Sequence, residues 1–583
     1  MKLRMKIMTA LLGAAFAAAA AAAPVVQEGE GAGRDGAVKV AVTFDNGKIT
    51  DIKVLEQNEN PLLGKKVFTT LKDNIVATNS VDVDVISGAT VTSRGLLGAV
   101  ADAAKKAGVT LSKADKKLIR KIEKNIPSES KYDVVVVGAG GAGFAAAIEA
   151  KRAGASVVML EKMPQVGGNS LISGAEMNVP CNWVQKKLGI KDSIELYEKD
   201  TYLGGDKKGD PAVIKVLAEN ALDAAEWGRD YLGVEFEPDN LFFFGGMSVK
   251  RALIPKGQTG YEWISKMQKK AEELGIPIIT DMKAEELIMK DGRVVGVKAT
   301  MDGKNYDFYG KGGVVLATGG FGANAKMVAK YNPKIDERFK STDSPGSTGE
   351  ALYMAERAGA ELVNMSYIQT YPICDPISGA IELIADSRFD GAIMLNQEGK
   401  RFVEELDRRD VLSEAILNQT GGYCWVLWND KIGAVSNTVK AHPDEYAGFT
   451  KSGIMTTCDD LKCIADFTKI PYDSLKATVD RVSSMAGPGN DKDFNHRGGL
   501  VDMSQGKYYV IKAVPSVHHT MGGVRINPKG EVLTKEGKVI PGLWAAGEVT
   551  GVTHGTNRIG GNAYTDIMVF GRLTGQEAAA AAK

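Results

Sequence analysis

The stretch KYDVVVVGAGGAGFAAAIEAKRAGASVVMLEK (131–162) decides the fold. Its valine run, 134–137, is the kind of apolar segment that a strand buried on both faces carries. An Ala-rich helical segment follows, then a second apolar run, VVML, so the stretch reads as one βαβ unit. Gly138, Gly140 and Gly143 form GxGxxG directly after the first strand and open the helix, which is the context a dinucleotide site requires. There the glycines let the backbone approach a pyrophosphate, and the free N–H groups of the helix N-terminus favour an anion. Glu161 ends the second strand, in position to accept from ribose hydroxyls, and its charge disfavours a 2′-phosphate.

Around this unit lie 583 residues, 44% hydrophobic and 25% charged, length for about three or four domains. Lys+Arg and Asp+Glu are equal at 72, so charge argues for neither a nucleic acid nor an acidic partner. Residues 1–23 read as a secretory signal peptide: Lys2, Arg4 and Lys6 precede an Ala-rich apolar run that ends in small residues before Pro24. Residues 38–56 alternate around a DNG turn and read as a β-hairpin. Lys-rich, polar 111–130 reads as a solvated linker helix. The five cysteines (181, 374, 424, 458, 463) form no CxxCH and no CxxC metal pair, and read as buried small apolar residues.

Two further segments narrow the cofactor. GGVVLATGGFG (312–322) is an apolar strand ending in ATGG, and 540–575 runs strand, AGE, Gly-rich turn, helix. With VGGNS (166–170) and the block AGEVTGVTHGTNRIGGNA, these segments resemble the FAD-dependent fumarate reductase/succinate dehydrogenase flavoprotein superfamily over roughly residues 131–583. The resemblance implies non-covalent FAD held by Gly138, Gly140, Gly143, Glu161, Lys162, Gly168, Asn169, Ser170, Thr318, Gly319, Gly547 and Glu548, with a helix N-terminus near Asn562 and Ala563 approaching the isoalloxazine. DVDVISGATVTSRG (82–95) resembles the motif of FMN-binding domains, Dxx(S/T)GAT, which implies FMN esterified through its phosphate to Thr90 by a separate flavin transferase.

The same likeness assigns a substrate site. His518 of VHHTMGG and Arg558 of HGTNR would hold a substrate carboxylate, with Gly560 beside them. Such cations also stabilise the enolate-like charge that forms when hydride reaches the far carbon. In GKRFVEELDRRD (399–410) Arg409 falls on the family's proton donor, and Arg388 on its relay arginine. An arginine acid works only as a relay refilled while it donates, because its pKa exceeds about 12.

The stretch QTYPICDPISGAIELIADSR (369–388) departs from the fumarate reductase pattern. Tyr371 stands where a carboxylate-binding His belongs, Ala385 stands where the relay Glu belongs, and Asp386 lies next to it. Glu176, in SGAEMN, replaces a small or apolar residue near the flavin. Carboxylates at the distal end of a substrate repel fumarate and attract a cation or N–H donor. Tyr371, Asp386, Glu176 and Arg409 resemble the urocanate reductase branch. Asp386 as a displaced relay acid remains the competing reading, and Asp375 and Glu382 read as exposed.

The expected architecture is α/β (α+β overall): a signal peptide (1–23), a small α+β FMN-binding domain (35–110), the linker (111–130), a Rossmann-like FAD-binding domain (131–365 and 519–583) and an α+β capping domain that splits it (366–518). The expected activity is that of an exported, monomeric two-flavin reductase, periplasmic or on the outer face of the membrane. It takes electrons from an external donor such as a quinol-linked cytochrome and reduces urocanate to imidazolepropionate as an anaerobic respiratory acceptor. Fumarate, methacrylate or an aryl acrylate are the alternative substrates; a flavin electron carrier is the non-enzymatic alternative.

Overall fold

The computed structural model describes residues 23–33, 36–59, 61–86, 89–115, 125–336 and 339–583. The signal-peptide reading therefore falls outside the described residues, apart from position 23, and so do residues 87–88 of the SGAT motif and the side chain of Thr90.

Five parallel strand segments build the floor of the molecule: Val539–Ala545, the end of Lys304–Leu316, Glu129–Val137, Val157–Leu160 and Ile278–Ile279. Their register aligns Ala545, Leu316, Val137 and Leu160 in one row. The residues that follow, Gly547, Thr318, Gly138 and Glu161, thus emerge along a single carboxyl edge, although they come from segments hundreds of residues apart. Ligands of open α/β sheets bind at such an edge. Arg293–Met301 and Lys283–Lys290 extend the sheet antiparallel beyond Lys304–Leu316. The helix Gly141–Arg152 packs under the terminal helix Asn562–Ala580, and both present Ala- and Gly-rich buried faces.

The GxGxxG glycines serve different ends. A Cβ on Gly138 would lie 2.3 Å from the Ala317 carbonyl oxygen, and its φ of 105° is unsuited to other residues. A Cβ on Gly143 would lie 2.0 Å from the Gly138 carbonyl oxygen. Both glycines are needed to bring helix and strands together. Gly140 has an ordinary φ of −83°, and no atom would come within 3.8 Å of its Cβ. The fold does not require glycine there; a bound group occupying that space does.

At the N-terminus, Val25–Ala32, Ala37–Asp45 and Lys48–Glu56 form an antiparallel sheet covered by the helix Thr90–Lys106. Asn46 (φ 49°) and Gly47 (φ 75°) make the tight turn expected of the DNG sequence. The first of these strands lies ahead of the expected domain start at residue 35. The described flanks of the expected linker helix, 111–115 and 125–127, are irregular, and Glu129 already belongs to a strand; the remainder lies outside the described residues. Lys66 joins this unit to the main body through Asp281, at 3.2 Å.

The segment between the two FAD-binding stretches builds a separate sheet of Ile368–Cys374, Tyr508–Thr520, Cys424–Asn429, Ile393–Leu395 and Met455–Cys458, around its own core. The expected border at 518 falls inside the 13-residue strand Tyr508–Thr520. Its early residues pack in the second core and Val517 packs in the first, so one continuous strand carries the chain from cap to flavin domain. Paired strands, Ile368 opposite Thr520, form the crossing.

Two expectations are corrected here. Cys458 and Cys463 form a disulfide, whereas Cys181, Cys374 and Cys424 are free. The pairing follows from a tight reversal: Asp460 caps the helix Leu461–Thr468 by accepting the Cys463 N–H at 2.8 Å, which folds its first turn back onto the end of Met455–Cys458. Asp375 and Glu382 are buried, not exposed. Asp375 closes a turn by accepting from the N–H groups of Ile377 (2.8 Å) and Ser378 (3.0 Å). Glu382 is fully buried without a protein partner on either carboxylate oxygen, and burial raises its pKa well above the usual range, with Asp375 and Glu445 adding to the effect.

Candidate active site

A cavity of about 300 Å³ starts at the carboxyl edge of the sheet and runs without a break to the cap. Its inner part is lined by Gly138, Gly140, Glu161, Lys162, Gly168, Asn169, Ser170, Thr318, Gly319, Gly547, Glu548 and Ala563. Glu161 accepts from the N–H groups of Ala139 (2.9 Å) and Met163 (2.8 Å), which fixes its carboxylate at the strand end; burial raises its pKa. Lys162 is held by Thr348 and by Glu350, at 2.8 Å. Ser170 accepts the Gly141 N–H at 3.2 Å, and Asn169 donates to Glu548 at 3.2 Å. Thr318 brings a buried hydroxyl that lacks a protein partner. The open space at Gly140, the unpartnered Thr318 hydroxyl and the Glu161 carboxylate at the cavity wall together fit a bound dinucleotide.

Two expected FAD residues lie outside this cavity, and Thr90, expected to carry FMN, belongs to the N-terminal unit. Gly143 is a packing residue, as above. Asn562 is turned away from the cavity: it accepts from Asn178 (2.6 Å) and Tyr197 (2.9 Å) and donates to Thr201 (3.1 Å), holding the start of its helix while Ala563 faces inward. Thr90 opens the helix Thr90–Lys106.

The outer part of the cavity holds Glu176, Tyr371, Asp386, Arg409, His518 and Arg558. Arg558 Nη2 lies 2.9 Å from His518 Nε2, and Thr342 Oγ1 lies 2.8 Å from His518 Nδ1. A guanidinium only donates, so Nε2 is the bare nitrogen and Nδ1 carries the proton that is given to Thr342. Burial, then the charges of Arg409 and Arg558, pushes the His518 pKa well down and keeps the ring neutral. Arg409 stacks on the Tyr371 ring at 4.7 Å and donates to Gln369 Oε1 at 3.1 Å. Gln369 in turn donates to Asn557 (2.7 Å) and to the Arg558 carbonyl (2.8 Å), tying the two arginine segments together.

Carboxyl groups share this part of the cavity, reached through Tyr371, whose ring lies 5.0 Å from that of His518. Asp386 lies 3.5 Å from the Tyr371 hydroxyl. Burial, then the charge of Glu176, raises its pKa well above normal, against the pull of Arg388 and Arg409. Glu176 is also raised, by burial, and folds into the space a Cβ at position 174 would take, 2.3 Å from that point. Gly174 is the local reason why this carboxylate fits. Arg388 and Gly560 line not this cavity but a small one beside Arg409. Gly560 is a packing residue as well, since a Cβ would lie 2.5 Å from the Phe244 ring.

Sequence reasoning missed Gln369, Thr342, Gly174 and Asp566. Gln369 stood in plain view in the QTYP segment, but only the crossing strands show what it joins. Asp566 lines the cavity one turn into the last helix and accepts from Thr553 at 3.2 Å; burial lifts its pKa to about 7.

The FAD binding domain family matches residues 133–564, and the FMN-binding domain family matches 33–105. This chain belongs to the fumarate reductase/succinate dehydrogenase flavoprotein superfamily. It is similar to a urocanate reductase of Eggerthella lenta, 42% identical over 94% of this chain and 91% of that protein. It is also similar to the fumarate reductase (cytochrome) of Shewanella frigidimarina, 40% identical over 77% of this chain and 77% of that protein. The solved open conformation of a flavocytochrome c3 fumarate reductase superposes with a TM-score of 0.64 at 36% identity, covering 78% of this chain and 79% of that one. As a member of this superfamily, the chain is a flavin-dependent oxidoreductase acting on enoates, with FAD and FMN as cofactors.

Proposed function

We propose that this reductase acts on urocanate, a planar acrylate bearing an imidazole, and gives imidazolepropionate. The observation that carries the reading is the make-up of one cavity: Arg558, Arg409 and neutral His518 share it with the carboxyl groups of Asp386 and Glu176, and Tyr371 stands between, its ring 5.0 Å from that of His518 and its hydroxyl 3.5 Å from Asp386. Arg558 binds the substrate carboxylate and stabilises the charge that builds on it. Burial raises the pKa of both Asp386 and Glu176, and the charge of Glu176 adds to the rise at Asp386, which favours one shared proton on the pair. One carboxylate oxygen accepts the imidazole N–H, and the shared proton or the Tyr371 hydroxyl donates to the other ring nitrogen. A second carboxylate, as in fumarate, meets repulsion from these carboxyl groups.

Reduced FAD, when bound, supplies the hydride for the β-carbon. Arg409, fixed by Gln369 and the Tyr371 ring, holds the proton that goes to the α-carbon, with Arg388 behind it as relay. Cap residues close the outer wall and exclude water.

Thr90 would carry an esterified FMN, which would supply a one-electron relay toward the FAD site. Thr90 is the first residue of a 17-residue helix, so an ester phosphate there lies at a helix N-terminus. A flavin transferase makes that bond, and a quinol-linked cytochrome or similar donor reduces the monomeric protein outside the cytoplasmic membrane. The leader-like start and the Cys458–Cys463 disulfide support export.

The test is anaerobic oxidation of reduced methyl viologen by the purified protein with urocanate, fumarate, methacrylate and cinnamate in parallel. Fast turnover with urocanate alone supports the reading; fumarate as the better substrate ends it. Thr90→Ala should abolish the flavin that stays with the denatured chain, and retained flavin moves the attachment elsewhere.

A further inference from the structure

Beside Arg409 and Arg558, which line the main cavity as well, lies a second cavity of about 10 Å³. Arg388, Arg409 and Arg558 all border it, together with Asp407 and Asn557. The Nε–H groups of Arg388 and Arg558 are buried and lack a protein acceptor. Among the described residues no carboxylate serves Arg388. Position 385 is an alanine, and Asp386 faces the main cavity beside Tyr371. Glu405 gives Arg388 only its carbonyl, at 2.7 Å, because its carboxylate is taken by Arg401 at 2.7 and 2.6 Å.

A space of this size holds one water molecule, and a water needs two to four polar partners. The wall of this one is built by Arg388 and Arg558, each with an unsatisfied Nε–H, by Arg409, and by Asp407 and Asn557. We propose that a single buried water bridges Arg388 and Arg409 in this cavity and carries the proton between them, in place of a relay carboxylate. The inference rests on Arg409 as proton donor. As Arg409 gives its proton to the substrate α-carbon, the water gives one to the Arg409 nitrogen and takes one from the Arg388 guanidinium. The water is regenerated, no electrons move, and Arg388 recovers its proton from solvent. Asp407, whose side chain is 35% exposed, borders both the cavity and the surface, and marks the way in.

A crystal structure of the oxidised holoenzyme tests the site directly, with a second crystal soaked in bromide. One oxygen-sized peak within hydrogen-bond distance of both Arg388 and Arg409, with no anomalous bromide signal, is the expected result. No peak, or a bromide peak in its place, overturns the proposal. In Arg388→Met the peak should vanish, kcat should fall by at least about tenfold, and KM for urocanate should stay within about twofold. Loss of the peak with kcat unchanged overturns the relay. These outcomes are separable from the substrate reading, since the density in the parent enzyme does not depend on which enoate turns over; full turnover in Arg409→Ala would instead remove the donor itself.

Discussion

Replacing Asp386 by Asn separates the two roles its position allows. The carboxyl group lies 3.5 Å from the Tyr371 hydroxyl and faces the outer cavity. If it reads the imidazole, the substitution turns a hydrogen bond between a charged acceptor and a ring N–H, worth about 1.5–3 kcal/mol, into one with a neutral amide oxygen, worth about 0.5–1.5 kcal/mol, a loss of about 1–1.5 kcal/mol. That corresponds to a loss of about 5- to 13-fold in kcat/KM for urocanate. An acrylate with no ring makes no such contact, so its kcat/KM should change by less than about threefold. The Asn also removes one of the two carboxyl groups that would repel a distal carboxylate, so a substrate that carries one should gain, not lose. The assay is initial-rate oxidation of reduced methyl viologen under anaerobic conditions, across urocanate, methacrylate and fumarate, with parent and variant at matched flavin content. Equal losses for all three substrates would refute the argument, because they would place Asp386 in proton delivery and not in recognition of the ring.

Other expectations follow from the same geometry. Gly138→Ala and Gly143→Ala should each lower stability by about 1–3 kcal/mol or more, because the new methyl meets backbone; Gly140→Ala should leave the melting temperature of the FAD-free protein unchanged and weaken FAD binding, read by flavin fluorescence titration. Asp566 titrates at about 7 in the folded protein against 3.8 in the open chain, so the folded state holds the extra proton between those values. Its contribution is therefore complete below pH 3.8 and is lost as pH rises towards 7, on the order of 4 kcal/mol at most. Asp566→Asn should flatten that slope in melting temperature against pH, and an unchanged slope would assign it to other groups. Thiol titration of the denatured, unreduced protein should find three cysteines, and five after reduction; five without reductant would remove the disulfide.

Much of this protein is legible in its sequence because its chemistry is written in local motifs. The GxGxxG turn, the hairpin around Asn46–Gly47 and the apolar strand before ATGG are short-range patterns in which backbone conformation and side-chain size are fixed by near neighbours. They suffice for the βαβ unit, for the flavin and for the superfamily, and they point to Tyr371, Asp386 and Arg409 as the residues to examine.

What the sequence could not decide depends on partners distant in the chain. Asp375 and Glu382 look like solvent-facing carboxylates in a one-dimensional pattern, yet one closes a turn and the other sits inside the cap core. Cys458 and Cys463 are five residues apart, a spacing that means nothing until the Asp460 cap reverses the chain. The cap has no linker to mark its end, because one strand runs through both cores. The assignment of Gly140 to a ligand, and of Gly138 and Gly143 to packing, needs the distance from each missing Cβ to its surroundings. The pairing of Arg558 with His518, the Gln369 brace and the small cavity beside Arg409 exist only because the strands Ile368–Cys374 and Tyr508–Thr520 cross beside the Gly-rich turn before the last helix. Sequence determines which groups are available; burial and long-range register determine which of them face each other, and those set the charge each one carries.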